Sequence, residues 1–486
     1  MKYASNRELD KNDLASIGYM RTIFCNLARV FTVLAFAGSL VVGNQQAQFP
    51  QNEIIEKVAC TANPEQSYAL FLPPGYTPEK KWPILYAFDP VGRGSVPVKL
   101  FQDAAKEFGF ILVGSNNSRN GIELNAIVET LWSDTHQRFA IDERRVYTTG
   151  FSGGARVASA IALNSLGTVA GVIAASGGPR PNFNPSPAKQ FTFFGTAGTE
   201  DFNFPEMQQL KRRMDEVGVT NRLVIFEGGH EWPPAEICGE AISWMEVQAM
   251  KSGTRAQDDQ LIDRLLAAKS KRARDYEISK QSYDAYLEYE ALVTEFKGLR
   301  DVNEFAADVD RLRNSKEVRT ASKSEKAEEA DQASLSEKLQ TLMARLQDAS
   351  TYAETMAELK YDLSDLTKKS EGSKSISERR VARRVLQSLL VQLYEEAFAL
   401  KQKRNYASIP AKFELAALIK PKDPRVFYEL AAAYARVGSK GRATTALGQA
   451  IERGFSDLAR IEQNEDFATL RDDADYKRLV ASLKKS

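Results

Sequence analysis

The sequence predicts an α/β fold for roughly its first half and an all-α region behind it. Two observations carry this prediction. Between residues 53 and 250, short apolar runs alternate with helical patterns, and several runs are apolar throughout, as in strands buried on both faces of a mostly parallel sheet. Beyond Lys251 the strand-like runs disappear and only helical periodicity remains.

Seven strand-like runs define the predicted sheet: Ser67–Pro74, Pro83–Pro90, Phe110–Asn117, Arg145–Gly150, Gly171–Ser176, Phe191–Ala197 and Arg222–Gly229. The helical patterns between them include Glu123–Arg138, Ala155–Leu163, Pro205–Val217 and Ala235–Met250. An alternation of this kind builds a sheet with crossover helices. We therefore expect functional side chains to lie at the carboxyl ends of the strands.

The first 48 residues differ in composition from the rest. Val30–Gly43 is an apolar run of about 14 residues, which suits the core of a signal peptide better than a membrane span of about 20 residues. We expect export to a periplasmic or extracellular location, with translation from Met20 giving a conventional short basic start. Anchoring in a membrane by residues 22–43 is the alternative.

The overall composition limits the kinds of binding partner and cofactor that are expected. The 65 basic and 64 acidic residues balance, so the net charge favours neither a nucleic acid nor an anionic surface. No histidine and cysteine cluster has metal-site spacing, and neither a metal nor another cofactor is expected. Beyond the leader lie Cys60 and Cys238, which either form a disulfide in an oxidising compartment or remain separate buried thiols.

The stretch YTTGFSGGARVA, from Tyr147 to Ala158, contains a candidate nucleophile. Gly150 to Gly154 match G-x-S-x-G, a pattern that holds a serine on a sharp turn between a strand and a helix. Small flanking residues are needed because side chains there would collide with the strand and the helix. Ser152 is therefore the predicted nucleophile.

A serine hydroxyl needs a base to take its proton and an acid to orient that base. The chain has two histidines. His136 lies within a helical stretch, where a packing or surface role is expected, whereas His230 directly follows a strand and two glycines. Asp201, in the loop after the intervening strand, is the predicted acid, and Glu200 is its near rival. The order Ser152, Asp201, His230 is that of the α/β-hydrolase arrangement.

With these residues in view, the chain resembles an α/β-hydrolase from about Ser67 to Met250, particularly the polyhydroxybutyrate-depolymerase and feruloyl-esterase-like branch. The segments that carry the resemblance are SYALFLPPGY, WPILYAFDP, RVYTTGFSGGARVA, GTAGTEDFNF and FEGGHEW. It implies an α/β-hydrolase sandwich, an acyl-enzyme on Ser152, and hydrolysis of a small or polymeric carboxylic ester without metal or cofactor. Its motifs specify the substrate poorly.

One departure from that family concerns the oxyanion site. Many members carry His-Gly after the third strand, where this chain has FDPVGRG. The Gly153 amide is expected to supply one donor, and Val91 or Gly92 the second, since Pro90 has no N–H. Further pocket-lining candidates are Asn116, Asn117, Ser118, Arg119 and Trp232.

The helical region divides into two predicted parts, residues 253–383 and residues 384–486, behind a hydrolase domain at 49–252. Asn314–Ala333 is charged and predicts a linker or frayed helix, and the leucines after it predict a helical hairpin or coiled coil. In the last part Tyr394-Glu395 recurs as Tyr428-Glu429, an offset of 34 residues that is typical of tetratricopeptide repeats. Such repeats bind a protein partner or serve as rigid appendages.

Together these features predict an exported serine hydrolase, an esterase first of all. A peptidase or amidase of the same fold is the first alternative. The second is an adaptor whose helical repeats bind a partner beside a vestigial hydrolase domain.

Overall fold

The computed structural model describes residues 49–179, 183–184, 190–346, 348 and 350–484. The predicted leader and its membrane-anchoring alternative lie outside the described residues. Two compact units divide between Ser322 and Lys323. No helix in the described part of the chain is both long and apolar enough to cross a bilayer.

The first unit is built on an eight-stranded sheet with the order β1-β2-β4-β3-β5-β6-β7-β8. Its strands are β1 (Ile54–Ala59), β2 (Ser67–Phe71), β3 (Trp82–Phe88), β4 (Ile111–Ser115), β5 (Ile141–Phe151), β6 (Gly171–Ala175), β7 (Thr192–Gly198) and β8 (Asn221–Phe226). β2 pairs antiparallel with β1 and β4, and every pair from β4 to β8 is parallel. This is an α/β-hydrolase sheet, and the predicted fold class is confirmed.

Helices cover both faces of the sheet. They are α1 (Ser95–Phe108), α2 (Asn125–Arg138), α3 (Gly153–Asn164), α4 (Phe204–Glu216) and α5 (Ala235–Lys251). Successive strand residues point to opposite faces. Accordingly Tyr86 packs into the cluster that contains α2, α3 and α4, whereas its neighbour Leu85 packs into the cluster that contains α1 and α5.

The two cysteines beyond the leader lie on opposite faces of this sheet. Cys60 belongs to the cluster of α2, α3 and α4, and Cys238 belongs to the cluster of α1 and α5. Both are buried free thiols, and burial raises the pKa of Cys60 to about 11. The disulfide considered from the sequence is not formed, because the sheet separates its two partners.

Three further helices complete the first unit: α6 (Asp259–Ile278), α7 (Ser282–Phe296) and α8 (Asn303–Arg313). Val247 and Met250 of α5 share one hydrophobic cluster with Ile262, Tyr289 and Phe305 of these helices. The beginning of the charged helical segment predicted from residue 253 therefore contributes to the core of the first unit.

A buried ionic cluster joins these helices to the sheet. Arg222 on β8 pairs with Glu240 on α5 and with Glu295 on α7, the latter at 2.8 Å. Lys269 on α6 also reaches Glu295, at 2.5 Å. Burial raises the pKa of Glu240, but Arg222, Lys269 and Arg272 outweigh burial and hold that pKa well below its usual 4.5. The stability that Glu240 contributes is therefore present above pH 4.5 and is lost as the pH falls towards the folded-state pKa.

Replacing Arg222 with methionine is expected to lower the free energy of unfolding by about 3–5 kcal/mol, because the buried glutamates lose their shared partner. Denaturant titration of the full chain measures the change. Arg264→Ala is the matched control, since its pair with Glu107 is exposed and contributes about 1 kcal/mol or less. Equal shifts for both variants would contradict a structural role for the buried cluster.

The second unit is all-helical. Helix α9 (Lys316–Arg345) contains the division between the units and is followed by α10 (Tyr352–Gly372), α11 (Ile376–Gln402), α12 (Ile409–Ile419), α13 (Pro424–Arg436), α14 (Lys440–Glu452), α15 (Leu458–Gln463), a 3-10 helix (Glu465–Leu470) and α16 (Ala474–Leu483). Helices α10 to α14 pack each against the next. Tyr394 lies on α11 and Tyr428 on α13, which have 27 and 13 residues. The tetratricopeptide assignment stays a prediction.

Candidate active site

Ser152 lies at the sharp corner between β5 and α3. Its backbone has φ 53° and ψ −117°, a strained conformation for a residue with a side chain. The corner requires close backbone approach, because a Cβ on Gly150 would lie 2.1 Å from the Gly154 carbonyl oxygen. The Ser152 N–H donates to the Ala175 carbonyl at 2.8 Å, which ties the corner to β6. The G-x-S-x-G pattern thus forms the strand-to-helix turn that the sequence predicts.

The structure brings the three predicted triad residues together. His230 Nε2 is 2.8 Å from Ser152 Oγ, and His230 Nδ1 is 2.9 Å from Asp201 Oδ1. Asp201 follows β7, His230 follows β8, and both therefore reach the carboxyl edge of the sheet where β5 ends. A carboxylate oxygen only accepts, so Nδ1 carries the proton and the Nε2 lone pair faces the serine hydroxyl.

Packing and hydrogen bonds fix the imidazole and the carboxylate. Phe151 and Phe202 hold the His230 ring, with ring centroids 4.7 Å and 4.2 Å away. Asp201 is fully buried, and its Oδ1 also accepts from the Asn203 N–H at 2.8 Å. The near rival, Glu200, lies one residue earlier, where its N–H donates to the Gly228 carbonyl. The side chain that meets His230 is that of Asp201.

The three backbone N–H groups predicted for the oxyanion site differ in whether they already donate a hydrogen bond within the protein. Among the described residues, nothing accepts a hydrogen bond from the Gly153 N–H at the start of α3. The Val91 N–H instead donates to Asp89 Oδ1 at 3.0 Å, and the Gly92 N–H donates to the Asp89 carbonyl at 3.1 Å. Asp89 therefore engages both predicted second donors within the turn, and of the three predicted donors the Gly153 N–H is the one left without an acceptor among the described residues.

Asp89 is a residue whose role the sequence analysis missed. It is fully buried and accepts from Trp232 Nε1 at 3.0 Å and from the guanidinium of Arg93. Burial raises its pKa, but the hydrogen bonds from Arg93, Trp232 and Val91 outweigh burial and lower the pKa below its usual value. Trp232 follows His230 by two residues, so Asp89 connects the turn after β3 to the histidine loop. The Asp-to-Arg spacing of four residues in DPVGR was the available signal.

The loop after β4 differs in part from the predicted pocket lining. Asn116 Nδ2 donates to the Glu56 carbonyl, and Asn117 Oδ1 accepts from the Ser67 N–H, so both side chains hold the β1–β2 edge. Ser118 is buried, with its N–H on Ser115 Oγ at 3.1 Å. Arg119 is exposed and its backbone forms a bridge with Val91. The first two candidates therefore serve the sheet rather than a pocket.

Hydrogen bonding accounts for the second histidine. His136 stacks on Trp132 with ring centroids 4.4 Å apart, and its Nδ1 is 2.8 Å from the Trp132 carbonyl. In the described part of the chain, no group of three histidine, cysteine, aspartate or glutamate side chains is placed to hold a metal ion. The residues assembled at the carboxyl edge are the hydroxyl of Ser152, the imidazole of His230 and the carboxylate of Asp201, with the Gly153 N–H next along the chain.

Comparison with known proteins adds likenesses at low identity. No protein-family model and no curated protein matches the chain. Among solved structures, it is similar to a ferulic acid esterase at 16% identity, over 40% of this chain and 96% of that one, with a TM-score of 0.34. The S-formylglutathione hydrolase FrmB from Staphylococcus aureus matches at 13% identity, over 40% and 98% of the two chains, with a TM-score of 0.33. A dienelactone hydrolase from Anabaena variabilis matches at 16% identity, over 40% and 97%, with a TM-score of 0.31. Neither the identities nor the TM-scores assign a reaction to this chain.

Proposed function

We propose that the first unit is a serine hydrolase that cleaves carboxylic esters through an acyl-enzyme. One observation carries the proposal: the continuous contact from Ser152 Oγ to His230 Nε2 at 2.8 Å and from His230 Nδ1 to Asp201 Oδ1 at 2.9 Å. A serine on a strained corner, in contact with a base that a buried carboxylate orients, is the arrangement that activates a hydroxyl for attack on a carbonyl.

The reaction proceeds in two halves. His230 Nε2 takes the hydroxyl proton as Ser152 Oγ attacks the carbonyl carbon, and the carbonyl oxygen becomes an oxyanion that accepts from the Gly153 N–H. Collapse of this intermediate breaks the bond to the leaving group, which receives the proton from His230 and departs as an alcohol. Water then attacks the acyl-enzyme as His230 takes its proton, and His230 returns that proton to Ser152 Oγ as the carboxylic acid leaves.

The ester is preferred to the amide because of the resemblance to depolymerases and feruloyl-esterase-like enzymes over Ser67 to Met250. Leaving-group chemistry points the same way. Gly153 is the backbone donor left open, since Asp89 engages the N–H groups of Val91 and Gly92. A site with one fixed backbone donor holds an oxyanion less firmly than a site with two, and complete loss of a donor typically costs about 10²- to 10³-fold in rate. A reactive ester tolerates weaker stabilisation of the oxyanion better than an amide does.

Labelling with a fluorophosphonate probe tests the proposal, because such a probe reacts with a base-activated serine. The full chain is expected to be labelled, and Ser152→Ala is expected to lose the label. Ser133→Ala, at an exposed serine on α2, is the matched control that keeps it. A folded wild-type chain that takes no label would refute the serine hydrolase.

Matched p-nitrophenyl ester and p-nitroanilide substrates with the same acyl group then separate the two bond types. Faster turnover of the ester is expected beyond the difference in intrinsic reactivity, measured against the uncatalysed rates. Equal enhancement of the anilide would indicate the amidase or peptidase instead.

A further inference from the structure

The loop after β4 is fastened to the turn after β3 beside the candidate nucleophile. Val91 and Arg119 form an antiparallel bridge, and the Asn120 N–H donates to the Pro90 carbonyl at 2.9 Å. The backbone of Asn120 is thus fixed against the segment where related folds present an oxyanion donor. Its side chain is exposed, and it extends from a backbone that these contacts hold in place.

The carboxamide of Asn120 lies against the residue that follows the nucleophile. A Cβ added to Gly153 would lie 1.9 Å from Asn120 Oδ1, 2.7 Å from Cγ and 2.9 Å from Nδ2. The carboxamide therefore occupies the space beside the Gly153 Cα, next to the amide that remains open. Within the described residues, no side-chain hydrogen bond of Asn120 is formed, so its polar atoms are available to a ligand.

Neither of the two backbone N–H groups predicted as the second oxyanion donor is open, since those of Val91 and Gly92 both donate to Asp89. From this and the position of the carboxamide, we propose that Asn120 Nδ2 donates the second hydrogen bond to the substrate carbonyl oxygen, beside the Gly153 N–H. The inference rests on the proposed serine hydrolase. A half-turn about the Cβ–Cγ bond of Asn120 exchanges Oδ1 and Nδ2 within the same volume. Either end of the carboxamide can therefore face the substrate.

This contact would act in the transition state more than in the ground state. The carbonyl oxygen gains negative charge as Ser152 attacks, and a hydrogen bond from Nδ2 strengthens with that charge. Loss of the donor therefore lowers kcat more than it raises KM. Since the Asn120 side chain is exposed, we expect the lower end of the usual range, a loss of about 10²-fold in kcat/KM.

Two variants of the full chain test the role of Asn120 with a p-nitrophenyl ester. Asn120→Ala removes the donor and the volume, and Asn120→Asp keeps the volume but presents a carboxylate that repels the oxyanion. We expect about 10²-fold loss of kcat/KM for the alanine variant and a loss at least as large for the aspartate variant. A merely structural side chain would be replaced well by its isostere, so wild-type kcat in Asn120→Asp would overturn the proposal.

Asn117→Ala is the matched control. It lies in the same loop, but its carboxamide holds the Ser67 N–H, so it is expected to lower the unfolding midpoint without changing kcat of the folded enzyme. A trifluoromethyl ketone, which forms an oxyanion on Ser152, provides a second measurement, and its affinity is expected to fall in parallel with kcat/KM in Asn120→Ala. Unchanged affinity and unchanged kcat would overturn the role of Asn120 alone. A wild-type chain that neither takes the fluorophosphonate label nor hydrolyses the ester would overturn the serine hydrolase itself.

Discussion

Replacing either Ser152 or His230 with alanine is expected to lower kcat for ester hydrolysis by about 10⁶-fold, and the double variant is expected to lose no more. The two side chains are 2.8 Å apart and act on one proton, so removing either stops the same step. Residual hydrolysis above the rate in water would come from the Gly153 amide and from substrate binding. Steady-state rates of the purified single and double variants measure the non-additivity.

His136→Ala is the control for the histidine variant. His136 stacks on Trp132 and lies in hydrogen-bond contact with Tyr86, within the core on the α2 side of the sheet. Its replacement is expected to lower the unfolding midpoint and to leave kcat of the folded protein unchanged. A large loss of kcat in His136→Ala would contradict the choice of His230 as the base. Multiplicative losses in the Ser152 and His230 double variant would contradict the joint action of these two side chains on one proton.

The sheet was predictable where its strands are buried on both faces. Runs such as Pro83–Pro90 and Gly171–Ser176 are mostly apolar, and they overlap β3 and β6 of the structure. The sequence analysis missed β1, Ile54–Ala59, because this edge strand carries Glu56 and Lys57 and is mostly exposed or half-buried. An edge strand pairs on one side only, so its sequence is free of the apolar pattern that marks the others.

In the helical half, the sequence analysis predicted too little regular structure in one charged segment. Asn314–Ala333 was expected to be a linker or frayed helix because it lacks large apolar side chains apart from Val318. The structure has a continuous helix there, Lys316–Arg345, in which Val318, Glu328 and Gln332 are buried. Alanine, lysine and glutamate are strong helix formers, and packing of a few positions suffices to hold such a sequence as a helix.

At the site, strand ends could be read from the sequence but hydrogen-bond direction could not. The positions of Ser152 and His230 follow from turns directly after predicted strands. The engagement of the Val91 and Gly92 amides depends on how Asp89 folds back within its own turn. Asn120 meets Gly153 only because a bridge between two loops fastens its backbone there. Contacts of this kind depend on tertiary structure, and a local sequence pattern does not predict them.

A local sequence pattern likewise cannot choose between Asp201 and Glu200, since the two are adjacent in the same loop. A test of that choice gives the second large expected effect. Asp201→Asn is expected to lower kcat by about 10⁴-fold. The asparagine keeps the shape of the side chain, but its amide can donate to Nδ1 and so stabilise the tautomer with the proton on Nε2. That tautomer cannot accept the Ser152 proton, so geometry survives while the base is lost.

Glu200→Gln, the same chemical change at the adjacent residue, is the comparison that decides which carboxylate orients His230. Asp201 Oδ1 contacts His230 Nδ1 at 2.9 Å, so only its amidation is expected to reverse the imidazole tautomer. Steady-state kcat and fluorophosphonate labelling rates of the two variants measure the difference. A 10⁴-fold loss in Glu200→Gln with a near wild-type Asp201→Asn would move the acid to Glu200. Small losses in both would mean that the His230 tautomer is held by something other than either carboxylate.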